Sequence, residues 1–548
     1  MPTLTWVGKD KVVNHHLDVP FRVLQCESHF DAPDGTPANS TDNRIIHGDN
    51  LAALKSLLPE FEGKINCIYI DPPYNTGNES WVYNDAVNDP KIKKWLGQVV
   101  GKEGEDLSRH DKWLCMMYPR LKLLHRLLAR DGILLISIDE NEHSFLELIL
   151  EELFGASNKL ETFVWKKSYG GGSKSKHIVN LHEYIICYSK NISELKPIEL
   201  PPDDKSLKYY KYTDEKFQER GAFRLQPLAT TSMDERPNLR YPLYHNDEEI
   251  MPEKQWQWSR DRSEEAQKNN ELVFIKRNEK WTVSYKQYLK STDGKIRGAK
   301  PYSIIDGLYT QHGTNEIKLL LGDGKAFSFP KPSELIAYLL SMTDKNAIIL
   351  DSFAGSGTTA HAVLKLNAQD QGNRRFILIE MEDYADTITA ERVRRVMSGY
   401  GVGTKQTAGL GGSFDYYTVG AAIFNPDDTL NEAVGVDVIR DYVSYSEGIA
   451  TEYRTPQNKP DGMTASPSKD WQSYTPYLLG LSPETAWIFY YEADAVTCLD
   501  LDFLGTLKFG ANKPATAIIY ADKCLFNKEF LTKHGIIFKK IPRDITRF

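Results

Sequence analysis

Asp71-Pro72-Pro73-Tyr74 is a stretch whose residue types and spacing suit a definite chemistry. A carboxylate and a proline-fixed backbone carbonyl can together accept both N–H bonds of an exocyclic amine. Such an amine on a base is a poor nucleophile, because its lone pair is delocalised into the ring. Holding both hydrogens steers that lone pair out of the ring plane toward an electrophile. Tyr74 offers a ring on which an extruded base can stack, as aromatic side chains do with flipped nucleotides. The elements around the stretch suit it. The apolar run Ile65 to Ile70 reads as a buried strand. The prolines end its ladder, since proline donates no N–H, and Pro73 keeps Pro72 extended. Asp71 and Tyr74 thus stand on a stiff turn at the carboxyl end of a strand, where open α/β sheets bind ligands. The same residues also suit an ordinary proline turn bearing a surface acid and a tyrosine.

A second stretch lies far downstream. Ile348 to Leu350 is strand-like and meets Asp351, then Ser352-Phe353-Ala354-Gly355-Ser356-Gly357-Thr358-Thr359, then a helix-like segment to Leu366. The glycines let the backbone turn tightly and let a ligand approach it. Ala360 stands where a dinucleotide fingerprint has its third glycine, and no Gly-Lys-Ser/Thr follows to make a phosphate loop. A further strand, Arg375 to Ile379, ends in Glu380. An acid at that offset commonly binds ribose hydroxyls.

Asp-Pro-Pro-Tyr upstream of Phe-Ala-Gly-Ser-Gly-Thr-Thr resembles the β class of S-adenosylmethionine-dependent amino-methyltransferases that act on DNA, and in particular the Mod subunits of type III restriction-modification systems. The resemblance covers roughly residues 44 to 400. It implies an α/β fold with a circularly permuted, Rossmann-like methyltransferase sheet. The catalytic half comes first, then a target-recognition insert, then the cofactor half, with a small C-terminal α/β domain after them. It implies catalysis by Asp71, Pro72, Pro73 and Tyr74. It implies S-adenosyl-L-methionine as cofactor, without a metal for methyl transfer. The cofactor would be held by Asp49, Asp71, Lys331, Asp351, Phe353, Ala354, Gly355, Ser356, Gly357, Thr358, Thr359 and Glu380. The substrate implied is adenine N6 in double-stranded DNA, reached by base flipping. Cytosine N4 is the alternative, although that group more often carries Ser where Asp71 stands. A catalytically silent DNA-binding subunit on the same fold is the other.

The rest of the chain is read in order. The 548 residues are 41% hydrophobic and 26% charged, a globular composition with room for three or four domains. The net charge is −8, so any basic DNA-facing surface must be local. Six scattered cysteines without Cys-x-x-Cys indicate reduced thiols and no zinc site. No apolar run approaches ~18 residues, and the N-terminus lacks the apolar core of a signal peptide, so a cytoplasmic protein is expected, with no membrane partner; the resemblance implies prokaryotic or phage origin.

Residues 1–43 read as an N-terminal extension and 44–195 as the catalytic half. Within it, Asp49 and Asn50 follow a short strand. Either suits a helix N-cap, Asn50 the better of the two, while by resemblance Asp49 contacts the cofactor's adenine. Residues 75–112 read as a polar loop beside the site. Trp113 to Leu128 reads as an amphipathic helix with Gly132 as its C-terminal cap, and Asp139 follows the next strand without a catalytic role. Trp165 is a candidate against the flipped base, or a core tryptophan. Lys166, Lys167, Lys174 and Lys176, around a glycine-rich loop, suit DNA phosphates.

Residues 196–305 read as the insert. Positions 196–300 hold 21 Lys and Arg against 18 Asp and Glu, with Trp256, Trp258 and Trp281. That suits either DNA recognition or an accessory domain. The cofactor half is 306–400. There Lys331-Pro332 resembles the segment that closes over the methionine end of the cofactor, and also suits plain helix initiation with Ser333 as cap. A linker, 401–420, and a C-terminal domain, 421–548, complete the chain. By resemblance the tail supports a homodimer or docking of a restriction (helicase-nuclease) subunit.

Overall fold

The computed structural model describes residues 3–76, 109–170, 177–202, 204–232, 234–278, 280–455, 475–509 and 514–543. The chain divides into two compact units, one of residues 1–196 with 302–548 and one of residues 197–301.

The larger unit is built on a ten-stranded sheet. In chain order its strands are β1 (Arg22–Asp31), β2 (Asn43–His47), β3 (Ile65–Ile70), β4 (Leu128–Ile138), β5 (Lys159–Lys166), β6 (His182–Ser189), β7 (Ile304–Ile305), β8 (Ile348–Asp351), β9 (Arg375–Glu380) and β10 (Ser413–Ala422). Across the sheet they run β1-β10-β2-β9-β8-β3-β4-β6-β5-β7. The block from β10 to β4 is parallel throughout. Its central strands β3, β4, β8 and β9 are rich in buried Ile and Leu because parallel strands are covered on both faces. β6 then runs antiparallel to β4, and β5 antiparallel to β6.

Helices cover the sheet: α1 (Asn50–Phe61), α2 (Arg109–Leu127), α3 (His143–Phe154), α4 (Thr310–Leu321), α5 (Ser333–Leu340), α6 (Thr358–Asp370) and α7 (Glu391–Ser398). The main core joins Leu54, Leu57 and Leu58 of α1 to Leu121, Leu124 and Leu127 of α2 and to Ile68, Ile136 and Ile379 of the sheet. β8 lies beside β3, Ile349 opposite Cys67 and Leu350 opposite Ile68. That pairing brings two strand ends together although the chain between them is about half the protein.

Several sequence expectations change. The helix read as Trp113 to Leu128 starts at Arg109 and ends at Leu127, where β4 begins at once. Gly132 therefore sits inside β4 and caps nothing. It is needed there because a Cβ would lie 2.9 Å from the Ile65 carbonyl oxygen and 3.0 Å from that of Ala129. Part of the segment read as a linker is β10, wedged between β1 and β2 in the main sheet. β1, from the segment read as an extension, is the sheet's edge strand beside it. Glycines at 399, 401, 403, 409, 411 and 412 hid that strand behind a loop-like composition. Residues 77–108, read as part of a polar loop, lie outside the described residues.

After β10 the chain forms a smaller four-stranded sheet from Leu478–Leu481, Thr485–Phe489, Thr516–Ala521 and Ile536–Lys540. This tail belongs to the larger unit. Tyr445 within it accepts from Arg126 of α2 at 2.8 Å and donates to Glu62 beside α1 at 2.7 Å.

The unit of residues 197–301 has its own core around Leu228, Tyr241, Leu243, Trp256 and Val283. Its three-stranded antiparallel sheet joins Leu272–Arg277, Lys280–Tyr288 and Phe223–Pro227. Trp256 is buried and donates its indole N–H to the Tyr241 carbonyl at 2.7 Å. Trp258 stacks near Tyr285, with Arg262 4.2 Å above its ring.

Candidate active site

The ends of β3 and β8 open into a cleft of about 660 Å³, a size suited to a cofactor or drug-sized ligand. Asp71, Pro72 and Tyr74 line it from β3, and Asp351, Phe353, Ala354, Gly355, Ser356, Thr358 and Thr359 line it from β8 and the turn into α6. The two stretches that carry chemistry in the sequence thus form walls of one cavity.

Asp71 is the centre of a dense polar cluster. Its two carboxylate oxygens accept from Lys331 Nζ at 2.8 and 2.7 Å. One also accepts the Tyr74 hydroxyl at 2.8 Å. That hydroxyl lies 3.2 Å from Glu183 Oε2 and 2.8 Å from Lys331 Nζ. Lys167 Nζ closes the cluster on Glu183 Oε1 at 3.0 Å. Burial pushes the Glu183 carboxyl up, but the Lys331 and Lys167 ammoniums outweigh it and hold the group below its usual range. Burial and the flanking Asp71 and Glu183 charges push the Tyr74 phenol well up, so it stays protonated.

The turn after Asp71 is fixed by its own backbone. Trp113 donates its indole N–H to the Pro73 carbonyl at 2.6 Å. The Pro72 carbonyl has no hydrogen-bond donor among the described residues, and Pro72 lines the cleft. Asn75 follows in the left-handed region (φ +59°) and its side-chain amide donates to the Arg109 carbonyl and to Glu142.

On the other wall, Gly355 and Gly357 both have positive φ, +52° and +78°, where side chains are strained. Gly355 lines the cleft. Gly357 faces away from it, since a Cβ there would lie 2.9 Å from the Thr389 carbonyl oxygen. Asp351 is buried, accepting from the Phe353 N–H at 3.0 Å and Thr359 Oγ1 at 2.5 Å. Burial pushes its carboxyl up to about 7. The same cause pushes Glu380 up to about 7. Glu380 spends its oxygens on the N–H groups of Gly355 (2.7 Å) and Glu382 (3.0 Å). It shapes the glycine turn and does not line the cleft.

Beneath the turn lies Arg392, fully buried. It donates to Ser356 Oγ at 2.9 Å, Thr358 Oγ1 at 2.8 Å and Glu316 Oε2 at 2.9 Å. Glu316 in turn accepts from the Ser333 hydroxyl at 2.5 Å at the start of α5. The glycine turn, α4 and the Lys331-Pro332 segment are thereby tied together.

The remaining sequence candidates are distributed as follows. Asp49 caps α1, accepting the Ala52 N–H at 2.8 Å, and it does not line the cleft. Asn50, expected as the cap, is instead buried, donating to the Ser352 carbonyl at 3.2 Å and accepting from Arg120 at 2.7 Å. The cap falls to the residue with an extended backbone (ψ 122°), whose carboxylate can reach back to the first turn. Pro332, not Ser333, occupies the cap position of α5.

Trp165 is buried, with its indole N–H on the Leu308 carbonyl at 2.5 Å, yet part of its ring lines the cleft. Lys167 turns inward to Glu183 and so is committed to the cluster. Lys166 is partly exposed and 3.4 Å from Asp306. Lys174 and Lys176 lie outside the described residues.

Sequence reasoning passed over Glu183, Arg392 and Glu316, and gave Asp139 no catalytic role. The signal for Glu183 was a lone acid inside the apolar run His182 to Tyr188. Asp139 lines the cleft, where burial pushes it up to about 6, and its carboxylate accepts from Asn141. No group of His, Cys, Asp and Glu among the described residues could hold a metal ion. No helix among them is long and apolar enough to cross a membrane.

Comparison with known proteins agrees with this geometry. A family profile described as DNA methylase, for N6 and N4 methyltransferases, matches residues 65–391. The chain is 33% identical over 367 residues to the type II methyltransferase M.KpnI of Klebsiella pneumoniae, covering 63% of this chain and 82% of that protein. It is 32% identical over 424 residues to the EcoPI Mod subunit of a type III restriction-modification enzyme from Escherichia phage P1, covering 70% of this chain and 64% of that one. It is 31% identical over 388 residues to the StyLTI Mod subunit of Salmonella typhimurium, covering 65% and 57%. The chain thus spans less than two thirds of either Mod subunit. The profile match includes both Asp71 and the glycine turn, and the chain belongs to the N6/N4 DNA methylase family.

Proposed function

We propose that this chain transfers a methyl group from S-adenosyl-L-methionine to adenine N6 in double-stranded DNA, on a base flipped out of the duplex. The observation that carries the reading is that Asp71 and the Gly355 turn line one cleft. The cavity's size, the close-approach glycine and the buried Asp351 fit such a cofactor. Asp351 and the backbone from Phe353 to Ser356, with Thr358 and Thr359, would hold it. When bound, that cofactor supplies an electrophilic methyl on a cationic sulfur.

The chain's own residues do the rest. Asp71 accepts one N6–H and the Pro72 carbonyl the other, which turns the nitrogen lone pair out of the ring plane. Tyr74 stacks on the base. The two strand ends would hold the amine and the cofactor side by side in one cleft, so positioning supplies much of the acceleration. The nitrogen gives up a proton as it gains the methyl. Asp71, hydrogen-bonded to that N–H, receives it without having to be a strong base. Asp at position 71, where cytosine-N4 relatives more often carry Ser, favours adenine.

The likeness to two Mod subunits supports a modification subunit of a type III system or a solitary relative, with a restriction subunit as partner in the first case; the homodimer is carried over from the family resemblance alone. Residues 197–301 serve DNA recognition. The test is to incubate the purified chain with DNA and cofactor and to analyse the product nucleosides. N6-methyladenine is expected, and N4-methylcytosine alone would replace this reading with the other base. Single-molecule sequencing of DNA from cells expressing the chain then gives the methylated site.

A further inference from the structure

Lys331 occupies the position that the substrate amine needs. Its Nζ lies 2.7–2.8 Å from both Asp71 oxygens, 2.8 Å from the Tyr74 hydroxyl and 4.9 Å from the Tyr74 ring centre. An ammonium there donates N–H bonds to the same carboxylate, beside the same ring, as an exocyclic amine would. At these distances the two donors exclude each other. The ammonium must therefore leave Asp71 before the base is captured, and with its side chain only 10% exposed a second carboxylate within reach is its favourable receiver.

Three other carboxylates line the cavity. Asp351 is committed to Thr359 and the Phe353 N–H, and Asp139 to Asn141. Glu183 is different. Its Oε2 already lies 3.7 Å from Lys331 Nζ, it is buried on the rigid β6, and Lys167 holds its other oxygen. We propose that Glu183 is a positioning residue that receives the Lys331 ammonium when the target amine enters, and so frees Asp71 for the base. The same Glu183 oxygen holds the Tyr74 hydroxyl at 3.2 Å, so ring and ammonium are set by one group. This inference rests on the adenine reading above.

The experiment uses the full chain and a duplex carrying its methylation site, with the target adenine and its N6 amine kept and 2-aminopurine placed next to it, which brightens when the adenine leaves the stack. Glu183→Gln keeps the shape and removes the charge. It should raise the protein concentration needed for half-maximal fluorescence about tenfold, the size of one charge-assisted hydrogen bond. Adding Lys331→Met to Glu183→Gln should restore capture, because no ammonium then competes for Asp71. A structural role alone would not give that rescue. Glu183→Gln with wild-type capture would overturn the proposal, and so would a double variant as impaired as the single one. If Glu183→Gln does not fold, Lys331→Met alone decides. Capture at the wild-type concentration or lower supports the proposal, and weaker capture overturns it. The wild-type chain is the control in the same assay. A wild type that neither brightens the probe nor methylates adenine would overturn the adenine reading itself, whereas a working wild type with an indifferent Glu183→Gln overturns only the transfer of Lys331.

Discussion

Asp71 faces an ammonium, a phenol and, on the reading above, the substrate amine in turn. Asp71→Asn keeps its size but can no longer take the amine's proton. Turnover should fall about a hundredfold or more, with DNA and cofactor binding retained in gel-shift and calorimetric assays. Full methyl transfer by that variant would remove Asp71 from the chemistry. Tyr74 separates into ring and hydroxyl. Tyr74→Ala should weaken base capture by ~1–3 kcal/mol through lost stacking. On the stacking role alone, Tyr74→Phe should be milder than Tyr74→Ala, because the ring supplies the stacking and the hydroxyl does not. The structure gives that hydroxyl bonds to Asp71 and Glu183, so Phe should cost about 1 kcal/mol and still capture better than Ala. Equal losses for Phe and Ala would sink the stacking role. Asp351 gives a pH signature. Burial raises its carboxyl from 3.8 to about 7 in the folded protein. The native state therefore keeps a proton that the unfolded chain releases near pH 4. Stability from this group is complete below about pH 4 and is lost as pH rises through about 7. Asp351→Asn abolishes that titration, so its Tm should gain on the wild type steadily from pH 4 to pH 7 in calorimetric scans. A constant difference would show that the group does not titrate there.

The turn between β8 and α6 is where one element carries two different demands on glycine. Gly355 is at positive φ against the cleft, and Gly357 is at positive φ against the Thr389 carbonyl. Gly355→Val should abolish cofactor binding in calorimetry while the protein remains folded. Both variants carry the cost of a Cβ on a left-handed residue, about 1–2 kcal/mol, but Gly357→Val should lower Tm further, since its Cβ would also meet the Thr389 carbonyl. If both variants lost ligand and had equal Tm, Gly357 would be a cleft residue after all. Arg392 helps fix the shape of the turn, because the guanidinium ties Ser356 and Thr358 to Glu316 of α4.

At the scale of the molecule, the proposed function assigns recognition to residues 197–301 and catalysis to the larger unit. Exchanging residues 197–301 for the matching segment of a relative with another specificity should change the methylated sequence and keep adenine as the target. Sequencing of methylated DNA checks this, and an unchanged site would move recognition elsewhere in the chain. The tail is different, because it shares a unit with the sheet through Tyr445 and its partners. A chain ended after Ala422 keeps β10 intact. On the homodimer reading it should run as a monomer in light scattering, and a dimer of full activity would give the tail another task.

What the sequence determined by itself is local. The Asp71 turn, the glycine turn and the apolar strands before them are legible because a few consecutive residues dictate each. Proline stops a ladder, glycine permits positive φ, and an unbroken Ile, Leu and Val run needs burial on both faces. Tertiary structure decided whatever depends on partners distant in sequence. Lys331 reads as part of a closing segment, yet its ammonium sits on Asp71, 260 positions away. Glu183 looks like an ordinary strand acid until Lys167, Lys331 and Tyr74 surround it. Gly132 resembles a helix cap and is a close backbone approach to Ile65. Residues 413–422 look like the end of a linker and form a strand, because β1 and β2 offer it hydrogen bonds on both sides. In each case the competing readings have similar local propensity, and the choice between them is made by desolvation and pairing that exist only once the sheet is assembled.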